Sequence, residues 1–190
     1  QYFTTHCNDS IYLYPTNNFE IEKIISDMKN KTSFGNDKIN NTILKNIKAE
    51  ISHPLSIIFN KSLTEGTYPH QFKHAHVLPV YKSGGKTNPT NYRPISLLNC
   101  TSKILEKLIH KRLYTFLENR NLFNELQFGF RKKLSTNDAI LTLISKLLSN
   151  IDKQDYCMTI FIDLSKAFDT IDHEILLYKL NKLGIRGIAN

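Results

Sequence analysis

One stretch near the end of the chain limits the fold more than any other. Cys157 to Ile162 is an apolar, β-branched run of strand length that ends on a carboxylate, Asp163. After a polar turn, Ile171, Ile175, Leu176, Leu180 and Leu183 recur at helical spacing up to Gly184, a residue suited to stopping a helix. The pattern predicts strand, turn and helix, with Asp163 at the strand's far end. Two readings of that carboxylate stay open on the pattern alone. It caps the following turn, or it holds a divalent metal, and metal with carboxylate points to phosphate chemistry.

The totals narrow the class of protein. With 190 residues, 41% hydrophobic and 22% charged, the chain can bury one ordinary core, or a domain with a subdomain attached. No apolar run has membrane-spanning length, so no membrane partner is expected. The opening Gln-Tyr-Phe-Thr-Thr does not read as a signal peptide and lacks an initiator Met, so the chain is expected to be an internal piece of something longer. A net charge of +8 favours a polyanionic partner, because lysines and arginines that neutralise phosphates release condensed counterions. Cys7, Cys100 and Cys157 are odd in number and widely spaced, which suggests reduced thiols inside a cell rather than disulfides or a zinc site. His70, His74 and His76 lack the paired spacing of a metal site with Cys100, and Gly84-Gly85 does not fill a phosphate-loop pattern.

In chain order, residues 1–18 show no period and read as a loose lead-in. Ile21, Ile24, Ile25 and Met28 then mark one helix face, with Asn17 and Glu20 placed for a capping box. A turn at Ser33–Asp37 precedes a second helix carrying Ile39, Ile43, Leu44, Ile47 and Ile51. A third is expected from Ser52, with Pro54 in its first turn, burying Leu55, Ile58, Phe59 and Leu63 and stopping at Gly66. Ala75–Tyr81 and Arg93–Leu98 read as the arms of a β-hairpin with a basic, glycine-containing tip. Pro79 suggests an edge strand. Helices from about Ser102 to Asn119 and Thr136 to Ile151 follow, separated by an irregular basic loop with Phe123, Phe128 and Phe130. Helices interleaved with a hairpin and a core strand give an α+β class.

Phe161-Ile-Asp-Leu-Ser-Lys-Ala-Phe-Asp-Thr-Ile-Asp-His173 resembles the first catalytic-aspartate motif of reverse transcriptases. The version it is most similar to is that of non-LTR (LINE-type, jockey-like) retrotransposons. Asn91-Tyr-Arg-Pro-Ile-Ser-Leu-Leu98 and Gln127-Phe-Gly-Phe-Arg131, followed by Ser135-Thr136, agree with that family in order and spacing. Phe34–Lys38 and Ile58–Leu63 match its N-terminal fingers extension. The resemblance implies a helical extension over 19–74, fingers over 75–150 with their β-hairpin, and the first strand and helix of a polymerase palm over 151–190, an incomplete domain. It implies synthesis of DNA on an RNA template from deoxynucleoside triphosphates with Mg²⁺ (or Mn²⁺), in the nucleus and cytoplasm. The expected partners are the RNA template, a DNA primer or target, and the remainder of the polymerase domain.

Residue by residue, the resemblance makes Asp163 the catalytic metal ligand, with the backbone carbonyl of Leu164 as a second ligand. Lys82 and Arg93 would grip the incoming triphosphate, the fork of Arg93 suiting bidentate contact. Lys86 lies on the same flexible tip as Lys82. Lys166 and Ala167 would offer the phosphates their turn N–H groups, and Phe168 would exclude a 2′-hydroxyl as a steric gate. Gln127, Phe128, Gly129, Phe130 and Arg131 would contact the template. Asp169 and Asp172 read as turn and helix-start residues. Residues 164–190 hold no second Asp-Asp hairpin, so the chain alone is expected to be inactive. Three rivals remain: a non-catalytic RNA-binding remnant, a group II intron or retron reverse transcriptase, and a strand-end-aspartate phosphatase, which expects an acid where Ser165 stands.

Overall fold

The structure, a computed structural model, describes residues 6–164 and 167–190. These residues divide into two compact units. One comprises Asn8–Phe116 with Gly184–Asn190; the other is built mainly from Leu117–Leu183. Among the described residues the elements are helices and a single two-stranded sheet, a mixed helix-and-sheet architecture.

The first unit is a helical core carrying a hairpin. Helix α1, Asn18–Ser26, starts where Asn17 accepts a hydrogen bond from the Glu20 N–H at 2.9 Å. Half of the expected capping box forms. The Glu20 carboxylate does not return to the cap but accepts from the Thr16 hydroxyl at 2.9 Å and engages Lys111 and Arg112. Helix α2 is short, Asn41–Asn46, and α3 runs from Lys48 to Glu65. The third helix therefore begins four residues before Ser52 and takes in Ile51, and Pro54 lies inside it rather than in its first turn. The break comes at Ile47, whose ψ of 19 leaves the helical range. Gly66, at φ +66, ends α3 in the left-handed conformation that a side chain would resist.

Ile21, Ile25, Met28, Leu44, Leu55, Phe59 and Leu63 form the core with Cys100, Ile104, Leu105 and Leu108 of α4, Cys100–Asn119. The apolar spacing read from the sequence is what aims these residues inward. Residues 6–17 of the lead-in are irregular but anchored. The Thr16 N–H donates to Asn60 Oδ1 at 2.7 Å and the Asn60 amide returns to the Thr16 carbonyl at 2.9 Å. The Ile11 N–H also donates to the Gly184 carbonyl at 2.9 Å.

Strands β1, Ala75–Tyr81, and β2, Tyr92–Leu98, pair antiparallel with Pro79 opposite Pro94. The Lys82 N–H donates to the Asn91 carbonyl, so pairs alternate from there and both prolines fall at positions where no ladder hydrogen bond is required. Their missing N–H groups face outward, which blunts both edges of a sheet with only two strands.

The second unit holds the end of α4, an irregular loop, α5 (Thr136–Asp152) and α6 (His173–Lys182). Ser135 and Asp138 form the reciprocal capping box of α5. Asp172 starts α6 by accepting from the Glu174 and Ile175 N–H groups. One expectation fails here. Cys157–Ile162 forms no strand: residues 155–164 carry no regular structure, and Ile160, Phe161 and Ile162 are exposed. A strand needs a neighbour to take its N–H and C=O groups, and among the described residues the only ladder is β1–β2. No described helix is long and apolar enough to cross a membrane.

Candidate functional site

The hairpin organises the cations. Because side chains alternate along a strand, residues 80, 82, 91 and 93 share one face and residues 79, 81, 92 and 94 the other. Lys82 and Arg93 are thus diagonal neighbours on one face, with Cβ atoms roughly 7–8 Å apart for such a pair. Both are exposed. Lys86 belongs to the other side: its Nζ lies 6.0 Å from the centre of the Tyr81 ring, which meets Tyr92 edge-on at 5.6 Å. The register places Lys82 on the Arg93 face, whereas Lys86 lies over the Tyr81 ring.

The tip is held by its own chain. The Asn91 amide donates to the Gly85 carbonyl at 2.8 Å, the Tyr92 hydroxyl to the Lys86 carbonyl at 2.8 Å, and the Tyr81 hydroxyl to the Gly84 carbonyl. Gly84 has φ +92, and a Cβ there would meet the Asn91 side chain at 2.6 Å. Only glycine fits this turn. Lys82 and Arg93 therefore project from an ordered hairpin end, with less freedom to lose when a ligand binds.

In the other unit, Asp163 and Leu164 lie on the exposed irregular segment 155–164. Ala167 and Phe168 follow in a turn, whereas Lys166 lies outside the described residues. Phe168 is 74% exposed and meets the Phe130 ring edge-on, with centroids 6.2 Å apart. The expected steric gate and the expected template segment are thus in ring contact. Phe130 itself is at φ +63 with its ring 88% exposed, a conformation that costs a non-glycine residue of order 1 kcal/mol or more. Gln127 and Gly129 are exposed, and Phe128 is half-buried.

Arg131 is committed elsewhere. Its Nε and one terminal nitrogen grip both oxygens of Glu118 at 3.3 and 3.0 Å, another donates to the Asn124 carbonyl at 3.2 Å, and the guanidinium lies over the Phe123 ring at 5.4 Å. A bidentate fork of this kind ties the loop 120–131 to the end of α4. The Glu118 carboxylate already meets the charge a template phosphate would use.

A divalent metal finds a modest donor set. Among the described residues no three His, Cys, Asp or Glu side chains converge. One exposed carboxylate with an adjacent carbonyl fits a single Mg²⁺ that keeps its waters and takes the rest of its shell from phosphates; it does not fit a pair of ions. Sequence reasoning missed a buried polar cluster in the helical core. Arg112 is 4% exposed and joins Glu20 at 3.1 Å. A basic residue four positions after Leu108, on the apolar stripe of α4, was the available signal.

The chain belongs to the reverse transcriptase (RNA-dependent DNA polymerase) family, whose sequence profile matches residues 81–189 and so takes in all three motifs at 91–98, 127–131 and 161–173. Relatives within that family include RNA-directed DNA polymerases of non-LTR retrotransposons. It is 35% identical over 175 residues to the probable RNA-directed DNA polymerase from transposon BS of Drosophila melanogaster, covering 92% of this chain and 19% of the relative. Identity to the RNA-directed DNA polymerase from mobile element jockey of the same species is 31% over 165 residues, covering 86% and 18%. For the probable RNA-directed DNA polymerase from transposon X-element it is 30% over 164 residues, again covering 86% and 18%. The chain spans about a fifth of the length of these curated relatives.

Proposed function

We propose that this chain supplies the fingers and first palm segment of an RNA-directed DNA polymerase of a non-LTR retrotransposon. The observation that carries the reading is the pairing of Lys82 and Arg93 on one face of a pinned hairpin. Two cations that far apart can each take a different phosphate of a triphosphate. Their charge offsets the negative charge that grows on the departing pyrophosphate.

Asp163, with the Leu164 carbonyl, would hold one Mg²⁺ or Mn²⁺, and the ion would supply positive charge that neutralises phosphate oxygens. Phe168 lies under the sugar and excludes a 2′-hydroxyl, and Lys166 and Ala167 offer their backbone N–H groups to the phosphates. Gln127 to Phe130 line the path of the RNA template, with the exposed Phe130 ring available for stacking. Arg131 shapes that segment through Glu118. DNA primer or target strand and the rest of the polymerase domain complete the assembly, which works in the nucleus and cytoplasm. The second metal needs carboxylates beyond Asp163, because this donor set serves one ion.

The test uses the chain itself. Binding of a fluorescent deoxynucleoside triphosphate with Mg²⁺ is measured by anisotropy for Lys82→Ala, Lys86→Ala, Arg93→Ala and Arg93→Lys. Losing one charged phosphate contact of about 1.5–3 kcal/mol predicts a ten- to hundredfold weakening for Arg93→Ala. Arg93→Lys recovers part of it, and Lys86→Ala changes little. Equal losses for Lys86 and Arg93 would refute the shared-face assignment. In parallel, Mn²⁺ bound in the presence of the triphosphate is counted by its electron paramagnetic signal. Asp163→Asn should lower that count, and an unchanged count removes the metal role.

A further inference from the structure

The loop before α5 puts a phenylalanine where its own sequence holds a better-suited residue next door. Phe130 takes φ +63, whereas its neighbour Gly129 stays out of the left-handed region. Glycine enters that region freely, and a side chain resists it. Strain of this kind persists only where the surroundings impose it, and it clusters at active and binding sites.

The surroundings that impose it are specific. Arg131, the next residue, is fixed by its fork on Glu118 at 3.3 and 3.0 Å and by the Asn124 carbonyl at 3.2 Å. Asn124 also holds the preceding turn. Its Oδ1 accepts from the Leu126 N–H at 2.8 Å, and its carbonyl accepts from the Gln127 N–H at 3.0 Å. The chain is thus pinned on both sides of Phe130. The ring gains no burial in return. It stands in solvent and meets Phe168 edge-on, with 85° between the ring planes.

Phe168 is a side chain that needs such a neighbour. It lies on an exposed turn with its ring exposed. One χ1 rotation between staggered positions carries a ring in that setting to a different place. A gate that swings aside excludes nothing. An edge-on aromatic partner favours the held position by roughly two- to tenfold.

We propose that Phe130 is a positioning residue for sugar selection: its ring braces Phe168 edgewise, and the left-handed backbone at 130 brings it there. The inference rests on the reading of Phe168 as the gate. A ribonucleotide binds only when the Phe168 ring has swung aside, while a deoxynucleotide binds with the ring in either position. Loss of the brace therefore tightens ribonucleotide binding by the factor by which the open position gains population.

The experiment uses the full chain with Mg²⁺ and no RNA, so stacking of Phe130 on a template does not enter. Unlabelled dATP and ATP compete with a fluorescent deoxynucleoside triphosphate, followed by anisotropy, and selectivity is the ratio of their dissociation constants. The variants are Phe130→Ala, Phe130→Gly, Phe130→Tyr, Phe168→Val and the double variant Phe130→Ala/Phe168→Val. Phe130→Ala and Phe130→Gly should each lower the ratio roughly two- to tenfold, with ATP binding tighter and dATP changing little. Damage to the fold weakens both nucleotides, so a tighter ATP complex cannot come from it. Phe130→Tyr keeps the ring and should keep the ratio. Phe168→Val should lower the ratio, and Phe130→Ala should add nothing to it in the double variant. Glycine relieves the backbone at 130 and alanine does not, so unequal effects of the two would place the role in the backbone and overturn the brace. Additive effects in the double variant, or equal weakening of both nucleotides in Phe130→Ala, would overturn it as well. A ratio lowered by Phe168→Val and untouched by Phe130→Ala overturns the brace and leaves the gate standing. A ratio untouched by Phe168→Val overturns both.

Discussion

Replacing Arg112 by Met tests how the helical core is held together. The Arg112 side chain is 1% exposed and that of Glu20 is 16% exposed. The guanidinium donates to Glu20 Oε2 at 3.1 Å and to the Leu108 and Pro15 carbonyls at 3.4 and 3.5 Å, and it covers the Tyr14 ring at 4.1 Å. This cluster joins the lead-in, α1 and α4. Removing one partner of a buried ion pair costs about 3–5 kcal/mol. Arg112→Met should fall at the lower end for three reasons. Met keeps the volume, Glu20 retains the Thr16 hydroxyl and Lys111, and the unpartnered Arg112 Nε disappears. We expect a loss of about 3 kcal/mol. At about 2.1 cal/mol/K per residue this lowers Tm by about 8 °C if all 190 residues melt together. If only the unit of about 116 residues melts, the fall is about 12 °C.

Glu20→Gln should cost at least as much, because a guanidinium cannot shed its proton to escape burial whereas a carboxylate can. The double variant should cost about 2 kcal/mol less than the sum of the singles, as neighbours in one network do. Burial pushes the Glu20 carboxyl up, but the Thr16 hydroxyl, Lys111 and Arg112 outweigh it and hold the group below its usual 4.5. A lowered folded value means the ionised form contributes stability above pH 4.5 and loses that contribution as pH falls through the folded value. The gap between wild type and Glu20→Gln should therefore be constant from pH 7 to 5 and narrow below 4.5. Thermal melts across pH decide it. Additive singles, or a gap that widens in acid, would refute the cluster's role.

Gly35→Ala should destabilise by about 1–3 kcal/mol, because a Cβ at this buried glycine would lie 2.6 and 2.8 Å from the Asn99 N and Cα, backbone that must then move. Equal urea midpoints for the two proteins would show that the β2–α4 junction yields freely. Ser135→Ala removes the cap of α5, where the Ser135 hydroxyl and N–H hold the Asp138 carboxyl below its usual range; about 1 kcal/mol of local stability should be lost, read as faster amide exchange in the first turn of α5. Substituting residues 20–190 for the matching segment of the transposon BS relative provides a setting for activity. There Asp163→Asn should abolish synthesis with RNA binding kept, and equal loss of both would sink the metal role. In the same chimera Phe168→Val should raise ribonucleotide incorporation, and unchanged sugar discrimination would remove the gate.

What the sequence disclosed follows from the range of the interactions involved. Asn17, Gly66, Ser135 and Asp172 act within a few residues of themselves, so the helix boundaries they set were legible, and Ala75–Tyr81 was found because a short apolar arm returns after a glycine-containing tip. Ile47, where α2 gives way to α3, carries no punctuating residue. The Glu20–Arg112 pair joins residues 92 apart, and Arg131 turned from the solvent to Glu118 for a reason that spacing cannot express. The sharpest divergence is Cys157–Ile162. Its β-branched composition is a statement about a pleated surface with neighbours on each side, and composition persists when the neighbours are not there. Tyr156, Met158, Ile160, Phe161 and Ile162 are 71–106% exposed, and the apolar face of α5, with Ile140, Ile144 and Leu148, is open as well. Among the described residues no strand pairs with this run, and an unpaired run leaves its N–H and C=O groups to water whatever its composition.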